Sequence, residues 1–303
     1  DVLNLQYQTA AFNMSPIIHF LPQLLQTPLV TTFHDLRVPY LFPKAGPLRN
    51  WIVMHLAHVS DGVIASDPQD FARLRDLPLA KLIPIGSNIP ADLPEGYERQ
   101  VLRKQAGLNV DEYLLGFFGF INHSKGYDTL LNALRNLLDE GIAVRLVQIG
   151  GKLGTADPTN AAYAAQLDAL TSELSLSDHI YSTGFVDAHE VSAYLAACDL
   201  VVLPYRDGAS QRRGSLMAAV AQGCAIVTTY PEGDSLYFTD DKLSLVPPDD
   251  DRALTTAIAD LLTDSQQRRL LHESAKALQQ YFDWDVIAQQ IATVYQAAIE
   301  AQP

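Results

Sequence analysis

The feature that most constrains this chain is an alternation of short, nearly unbroken apolar runs with helix-length amphipathic segments. Leu114-Leu115-Gly116-Phe117-Phe118 and Leu200-Val201-Val202-Leu203 are such runs. A strand without polar alternation is covered on both faces, as happens in parallel sheets flanked by helices. Residues 1–6, 29–33, 62–65, 82–85, 113–119, 143–149, 179–183, 200–204, 225–229 and 243–246 read as strands. Residues 17–25, 46–58, 69–75, 127–138, 160–173, 188–197 and 210–222 read as the helices between them. A repeated strand–helix rhythm implies a doubly wound α/β architecture with right-handed crossovers. Beyond Val246 the pattern becomes helical throughout, over 251–262, 265–281 and 285–301.

The rhythm breaks once. From Ile83 to Pro94 the chain holds Pro84, Pro90, Pro94 and Gly86 and has no helical period, the composition of an interdomain linker. A chain of 303 residues is long for one core, so two domains are expected, 1–88 and 89–283. Residues 284–303 form a terminal helix placed to cross back to the first domain. The run Val2-Leu3-Asn4-Leu5-Gln6-Tyr7 opens inside a strand, and the natural protein is expected to continue upstream of Asp1.

Composition narrows the function. Hydrophobic residues are 48% and charged residues 18%, which suits a packed globular protein rather than a disordered one. A net charge of −14 and a pI near 4.8 argue against a nucleic-acid partner. The same charge weakens any broad attraction to anionic lipid, so membrane contact is expected to be peripheral at most. No apolar run is long enough to cross a bilayer, and no signal peptide is visible. The expected location is cytoplasmic, free or peripheral to the inner face of the membrane. The two cysteines, Cys198 and Cys224, sit in apolar surroundings and read as buried thiols.

In an open α/β sheet, ligands bind beyond the carboxyl ends of the strands, where loops feed helix N-termini. Two such loops stand out in the second half. Gly119-Phe120-Ile121-Asn122-His123-Ser124-Lys125-Gly126 follows a buried strand; its glycines allow close backbone approach, and Lys125 offers a point charge to phosphate oxygens. Lys125 also fits a solvated loop lysine. The run from Tyr205 to Ser215 lies at the mouth of a helix, where free N–H groups attract anions, Arg212 or Arg213 could add a charged fork, and Arg206 adds a further cation to the same loop. In so acidic a chain, cations gathered on loops at one sheet end point to a diphosphate. His34 ends the strand Thr32-Phe33-His34-Asp35 and is a candidate in the first half. His55 and His58 have i, i+3 spacing but no third ligand, so no metal site is expected there. Asp283-Trp284-Asp285 has the outline of a DxD metal motif, yet its position between two helices suits an N-cap.

Taken together, these residues resemble a retaining glycosyltransferase of the GT-B fold, family GT4, the glycosyl transferase group 1. The resemblance runs from His34-Asp35 through Ile85-Gly86-Ser87-Asn88 and Ser124-Lys125-Gly126 to Gly184-Phe185-Val186 and Ala197-Cys198-Asp199. It continues through Gly223-Cys224-Ala225-Ile226-Val227, like the family's A-M-A-x-G-x-P-V-V segment, to Phe282-Asp283-Trp284. It implies two facing Rossmann-like domains, an acceptor side first and a nucleotide-sugar side second. It places the diphosphate on Lys125 with Gly119, Asn122 and Ser124, and on the helix mouth Ser210, Gln211, Arg212, Arg213, Gly214 and Ser215. Gly184, Phe185 and Val186 would lie beside the base, and His34 would touch the donor sugar. The implied reaction is sugar transfer from a nucleotide-diphosphate-sugar to a saccharide, lipid-linked or small-molecule acceptor. It proceeds by front-face displacement, without a metal or other cofactor.

The chain departs from the family pattern in three ways. The E-x7-E carboxylate positions are Ser210 and Ala218, and the arginine of the family's G-R-L loop is Phe120. The first domain's opening strands are expected upstream, roughly 60–90 residues for two or three strand–helix units. Two other readings fit the residues: a relative that binds nucleotide, sugar or protein without turnover, and a dinucleotide-dependent dehydrogenase. The second lacks a GxGxxG turn within these residues.

Overall fold

The computed structural model describes residues 1–36, 47–151 and 158–301. Two compact units result, Asp1–Gly86 with Tyr281–Pro303, and Ser87–Gln280.

The first unit holds a parallel sheet of β1 (Leu3–Tyr7), β2 (Leu29–Phe33), β3 (Gly62–Ala65) and β4 (Ala80–Leu82), paired in that order. Two helices follow the strand pattern, α1 (Pro47–Val59) and α2 (Pro68–Leu74). Gly46, expected to start the first of these, lies outside the described residues. Asp67 caps α2 by accepting from Gln69 N at 2.9 Å. The strict alternation of β side chains gives the sheet two apolar faces. Phe33, Val63 and Ala65 pack with Ile52, Val53 and Leu56 of α1. Val30 and Ile64 on the opposite face, with Ile83, pack against Ile287, Val294 and Ala298 of the C-terminal helix Trp284–Glu300. Asp283 starts that helix as an N-cap, accepting from Asp285 N at 2.9 Å and Val286 N at 3.1 Å. Gly86 sits against its start: a Cβ there would come within 2.6 Å of Phe282 O and 2.9 Å of the Trp284 indole.

Two expectations need correction in this unit. The fourth strand is Ala80–Leu82 rather than 82–85, because Pro84 cannot donate to a ladder. The segment expected as a helix over 17–25 is a 3-10 helix, Ile17–Leu24, with Pro22 inside it. A proline removes one N–H and clashes with the preceding turn of an α-helix.

The second unit is a six-stranded, all-parallel sheet. Its helices and strands run α3 (Arg99–Gln105), β5 (Tyr113–Phe118), α4 (Tyr127–Asp139), β6 (Val144–Ile149), α5 (Pro158–Glu173), β7 (Ile180–Ser182) and α6 (Ala188–Ala197). They continue as β8 (Leu200–Leu203), α7 (Gly214–Ala221), β9 (Ile226–Thr229), β10 (Ser244–Val246), α8 (Asp251–Thr263) and α9 (Ser265–Phe282). The strand order is β10-β9-β8-β5-β6-β7. From β5 the chain winds outward to β6 and β7, returns to β8 beside β5, and winds away to β9 and β10. The neighbours β5 and β8 therefore form the topological switch point, where doubly wound sheets open a crevice for ligands.

Asp199 locks these two strands at their other end. It accepts from Leu114 N at 2.7 Å, from Arg103 at 2.8 Å and from Arg99 at 2.7 Å. The last two residues belong to α3, a helix that the apolar pattern does not announce. Among the described residues no helix is long and apolar enough to cross a membrane.

Candidate functional site

The loops leaving β5 and β8 meet. After β5 the chain passes Gly119, makes a 3-10 turn over His123–Lys125, and enters α4 through Gly126. Gly126 has φ 62°, and a Cβ on it would overlap the Pro204 carbonyl oxygen at the end of β8. Only glycine brings the two loops this close. As a result Lys125 Nζ donates to Ser215 Oγ at 2.8 Å, although 90 residues separate them. Ser215 lies in the first turn of α7, and among the described residues no side chain caps that helix. Its uncapped N-terminus carries the partial positive charge of the helix dipole.

Arg213 completes the cluster. Its guanidinium donates to Ser124 Oγ at 3.3 Å, is ion-paired with Asp207, and lies 4.9 Å from the centre of the Tyr205 ring. Lys125 Nζ lies 5.0 Å from the same ring. The Tyr205 hydroxyl and Ser215 Oγ are 2.7 Å apart. Burial, and secondarily the Arg213 charge, pull the Lys125 ammonium down to about 8. Two cations held this close, with Asp207 paired to Arg213 and the start of α7 beside them, form a site suited to an anion of high charge.

The structure sorts the sequence candidates. Lys125, Ser124, Arg213 and Ser215 come together, and Asn122 orients Ser124 by accepting from its hydroxyl at 2.9 Å. Gly119 borders the cluster: a Cβ there would stand 3.5 Å from Lys125 Nζ. Gly184 is bridged to Gly150, which in turn lies against Gly119, so these glycines cluster where β5, β6 and β7 end. Phe185 beside them is 85% exposed, and Val186 is half-buried. Ser210 to Arg213 form a turn closed by Arg213 N to Ser210 O at 3.0 Å, and Gly214 opens onto free space. The helix expected from residue 210 thus begins at Gly214. Gln211 is buried, and among the described residues its Oε1 has no hydrogen-bond partner. Arg212 is exposed.

Arg206 is a correction. It is not available to a phosphate, because Asp128 and Asp249 each accept from it at 2.6 Å and the His123 carbonyl accepts at 2.7 Å. Tyr205 and Gly150 were missed. Each sits directly behind a strand end, beside Pro204 and Ile149, where such residues belong to the ligand edge.

His34, in the first unit, lies 2.7 Å from Gln6 Oε1 through Nε2. Burial lowers its pKa, and neighbouring Asp35 opposes the shift. His55 is stacked on Trp51, and His58 Nδ1 lies 2.6 Å from Met54 O. Among the described residues no group of three His, Cys, Asp or Glu side chains could hold a metal ion.

With this geometry in hand, the family model described as glycosyl transferases group 1 matches residues 98–278. The chain belongs to that family. A D-inositol 3-phosphate glycosyltransferase of Xylanimonas cellulosilytica is 30% identical over 256 residues, covering 80% of this chain and 58% of that protein. A putative colanic acid biosynthesis glycosyltransferase, WcaL of Escherichia coli, is 28% identical over 184 residues, or 58% of this chain and 43% of the other. This group 1 chain thus spans about half the length of the curated relatives it matches. Solved structures share its fold. Sucrose-phosphate synthase from Thermosynechococcus elongatus superposes with TM-score 0.76 at 24% identity, over 99% of this chain and 74% of that one. Anabaena Alr3699/HepE, solved with UDP and glucose, gives TM-score 0.77 at 22% identity, over 98% and 78%.

Proposed function

We propose that this chain moves a sugar from a nucleotide-diphosphate-sugar to an acceptor hydroxyl, with retention of anomeric configuration and without a metal ion. The observation that carries the proposal is the meeting of Lys125 and Arg213 beside Ser215 at the β5/β8 switch point. There the two cations and the uncapped start of α7 would receive the diphosphate. Arg213 would stand in for the arginine absent at Phe120. Gly184, Phe185 and Val186 would flank the base, and the family resemblance assigns the sugar to His34 and the acceptor to the first unit. The HepE structures, described with UDP and with UDP-glucose, support uridine diphosphate sugars as the first donors to try.

In a front-face displacement the bond from the anomeric carbon to the β-phosphate oxygen breaks as the acceptor oxygen bonds on the same face. The departing phosphate takes the acceptor proton. Negative charge grows on that phosphate, where fixed cations in a water-poor site stabilise it most. The remaining acceleration comes from holding both substrates in register.

A second reading, binding without turnover, is favoured by one feature. The carboxylate positions hold Ser210 and a fully buried Ala218. Thermal shift with UDP, GDP and ADP tests the shared premise, since a ligand that binds only the folded state raises its melting temperature. Stabilisation by one of them that disappears in Lys125→Ala is expected; none by any of the three would refute the donor site. Sugar release from UDP-, GDP- and ADP-sugars then separates the two readings.

A further inference from the structure

A row of polar side chains in the first unit ends at His34. The register pairs Asn4 with Val30 and Gln6 with Thr32, so residues 4 and 6 of β1 share one sheet face with 30 and 32 of β2. His34 N–H bonds to Tyr7 O at 2.9 Å and continues that pleat by one residue. The Asn4 amide nitrogen donates to Thr32 Oγ1 at 3.2 Å. The Gln6 amide nitrogen donates to the Asn4 carbonyl oxygen. That leaves Gln6 Oε1 facing His34 Nε2 at 2.7 Å.

Each amide has one end that only donates and one that only accepts, so orienting one member orients the next. An acceptor facing Nε2 requires the proton on Nε2. The opposite polarity would put an amide NH2 against the ring and would suit only the neutral Nδ1–H form. The observed polarity suits the neutral Nε2–H ring and the doubly protonated ring alike, so the ring can gain or lose its second proton without the row being rebuilt.

We infer that Gln6 is a positioning residue for His34, holding the proton on Nε2 and leaving Nδ1 as the nitrogen that accepts a hydrogen bond from a ligand hydroxyl. This rests on the reading of His34 as the residue that meets the sugar. Its ligand class is a polyol carrying a donating hydroxyl, and a group without that hydroxyl, such as a deoxy sugar, would lose the contact. The ionisable neighbour that acts on the ring is Asp35, which favours the charged form.

Imidazole nitrogen spectra of the intact protein test the tautomer without any turnover, with His34 assigned by its loss in His34→Asn. The neutral His34 ring is expected as Nε2–H. Gln6→Met should spread the ring over both tautomers, and Gln6→Glu should raise the His34 pKa by about one unit or more, since a facing carboxylate favours the imidazolium. Gln6 is exposed, so both variants should keep the wild-type melting temperature. A neutral Nδ1–H ring in the wild type, or spectra unmoved by both variants, would overturn the inference, whatever the protein's activity proves to be.

With a donor sugar that turns over, Gln6→Met should lower kcat by about tenfold or more, the scale of losing an orienting partner, and leave the KM for the nucleotide diphosphate part unchanged. In Gln6→Glu the acid limb of the kcat profile should move to higher pH together with the His34 titration. Spectra that behave as expected while kcat in Gln6→Met equals that of the wild type would remove the positioning role.

Discussion

Arg206 donates to Asp128 at 2.6 Å, tying the loop after β8 to the first turn of α4. Its backbone N–H adds a bond to Ser124 O at 3.0 Å, and its guanidinium reaches His123 O. Arg206 therefore fixes the turn that carries Lys125 from behind. Burial alone would raise the Asp128 carboxyl, but the bonds from Arg206 and Tyr163 and the guanidinium charge outweigh it and hold it below its ordinary value. Arg206→Met should cost about 1–3 kcal/mol in urea unfolding. It should also raise the Asp128 pKa, since two of the influences that hold it down come from Arg206. A carboxylate held low adds stability that is present above its unfolded pKa and is lost as pH falls through the folded one. The wild type should thus lose stability on acidification below about pH 4, a value set by the ordinary carboxylate range. In the variant the carboxyl should protonate at higher pH, as carbon-detected NMR would show.

Lys125 has the reverse linkage. Its folded pKa of about 8 lies below the ordinary 10.5, so folding disfavours its charge. Below about 8 both states hold the proton and the penalty is complete. Between the two values the unfolded chain holds a proton that the folded chain has released, so stability rises with pH across that window. Lys125→Met should abolish that rise and should be no less stable than the wild type at pH 7, while losing nucleoside diphosphate affinity. Diphosphate should draw a proton back onto Lys125. Calorimetry near pH 8 in two buffers of different ionisation enthalpy should report proton uptake, absent in the variant.

The two neighbouring arginines should behave differently. Arg213 shares Ser124 and the Tyr205 ring with Lys125, whereas Arg212 is exposed. Arg213→Ala should weaken diphosphate binding by about 1.5–3 kcal/mol, the scale of a charged hydrogen bond. Arg212→Ala should change it by less than about 0.5 kcal/mol, as ordinary surface substitutions do. Equal losses in both variants would contradict the arrangement.

The parallel sheets were legible because Leu114–Phe118 and Leu200–Leu203 carry no polar alternation, which leaves no solvent face. That the Lys125 loop and the Arg212–Arg213 helix mouth lie at one sheet end was legible from loop position, since strand ends in a doubly wound sheet share one edge; the Lys125–Ser215 bond itself was not. Arg206 was misjudged because its carboxylate partners lie 78 and 43 residues away, beyond anything local spacing reveals. Pattern reading also cannot decide which of two adjacent arginines turns inward. The helix start at Gly214 was placed too early because Ser210 resembles an N-cap, while a turn over Ser210–Arg213 competes for the same residues. Helix α3 escaped notice because two arginines on Asp199, rather than an apolar stripe, do much to hold it.

Gly126 gives a test confined to backbone geometry. It combines φ 62° with direct contact against the Pro204 carbonyl. An alanine there would be strained and would also push the two loops apart. Strain of that kind costs about 1–3 kcal/mol before any overlap is counted. Gly126→Ala should therefore lose at least that much stability in urea, and diphosphate affinity should fall with it. By comparison, Gly141 also has positive φ, 81°, but open space around it. Gly141→Ala should show a smaller stability loss and no change in binding.

The C-terminal helix supplies the last test, because one helix carries its own control. Ile287 is 2% exposed against Val30, Ile64 and Ile83, while Ile299 on the same helix is 37% exposed. Truncating a buried isoleucine removes its transfer energy and leaves a cavity, together about 2–5 kcal/mol, whereas an exposed one leaves neither. Ile287→Ala should therefore lower the stability of the first unit by about that amount in urea unfolding. Ile299→Ala should stay within about 0.5 kcal/mol of the wild type. Both substitutions carry the same helix-propensity gain from alanine, so their difference isolates the packing of this helix on the first sheet. Two equal, small effects would mean that the helix does not cover that sheet face in solution. Val30 and Ile64 would then be exposed, and dye binding to apolar surface would report them.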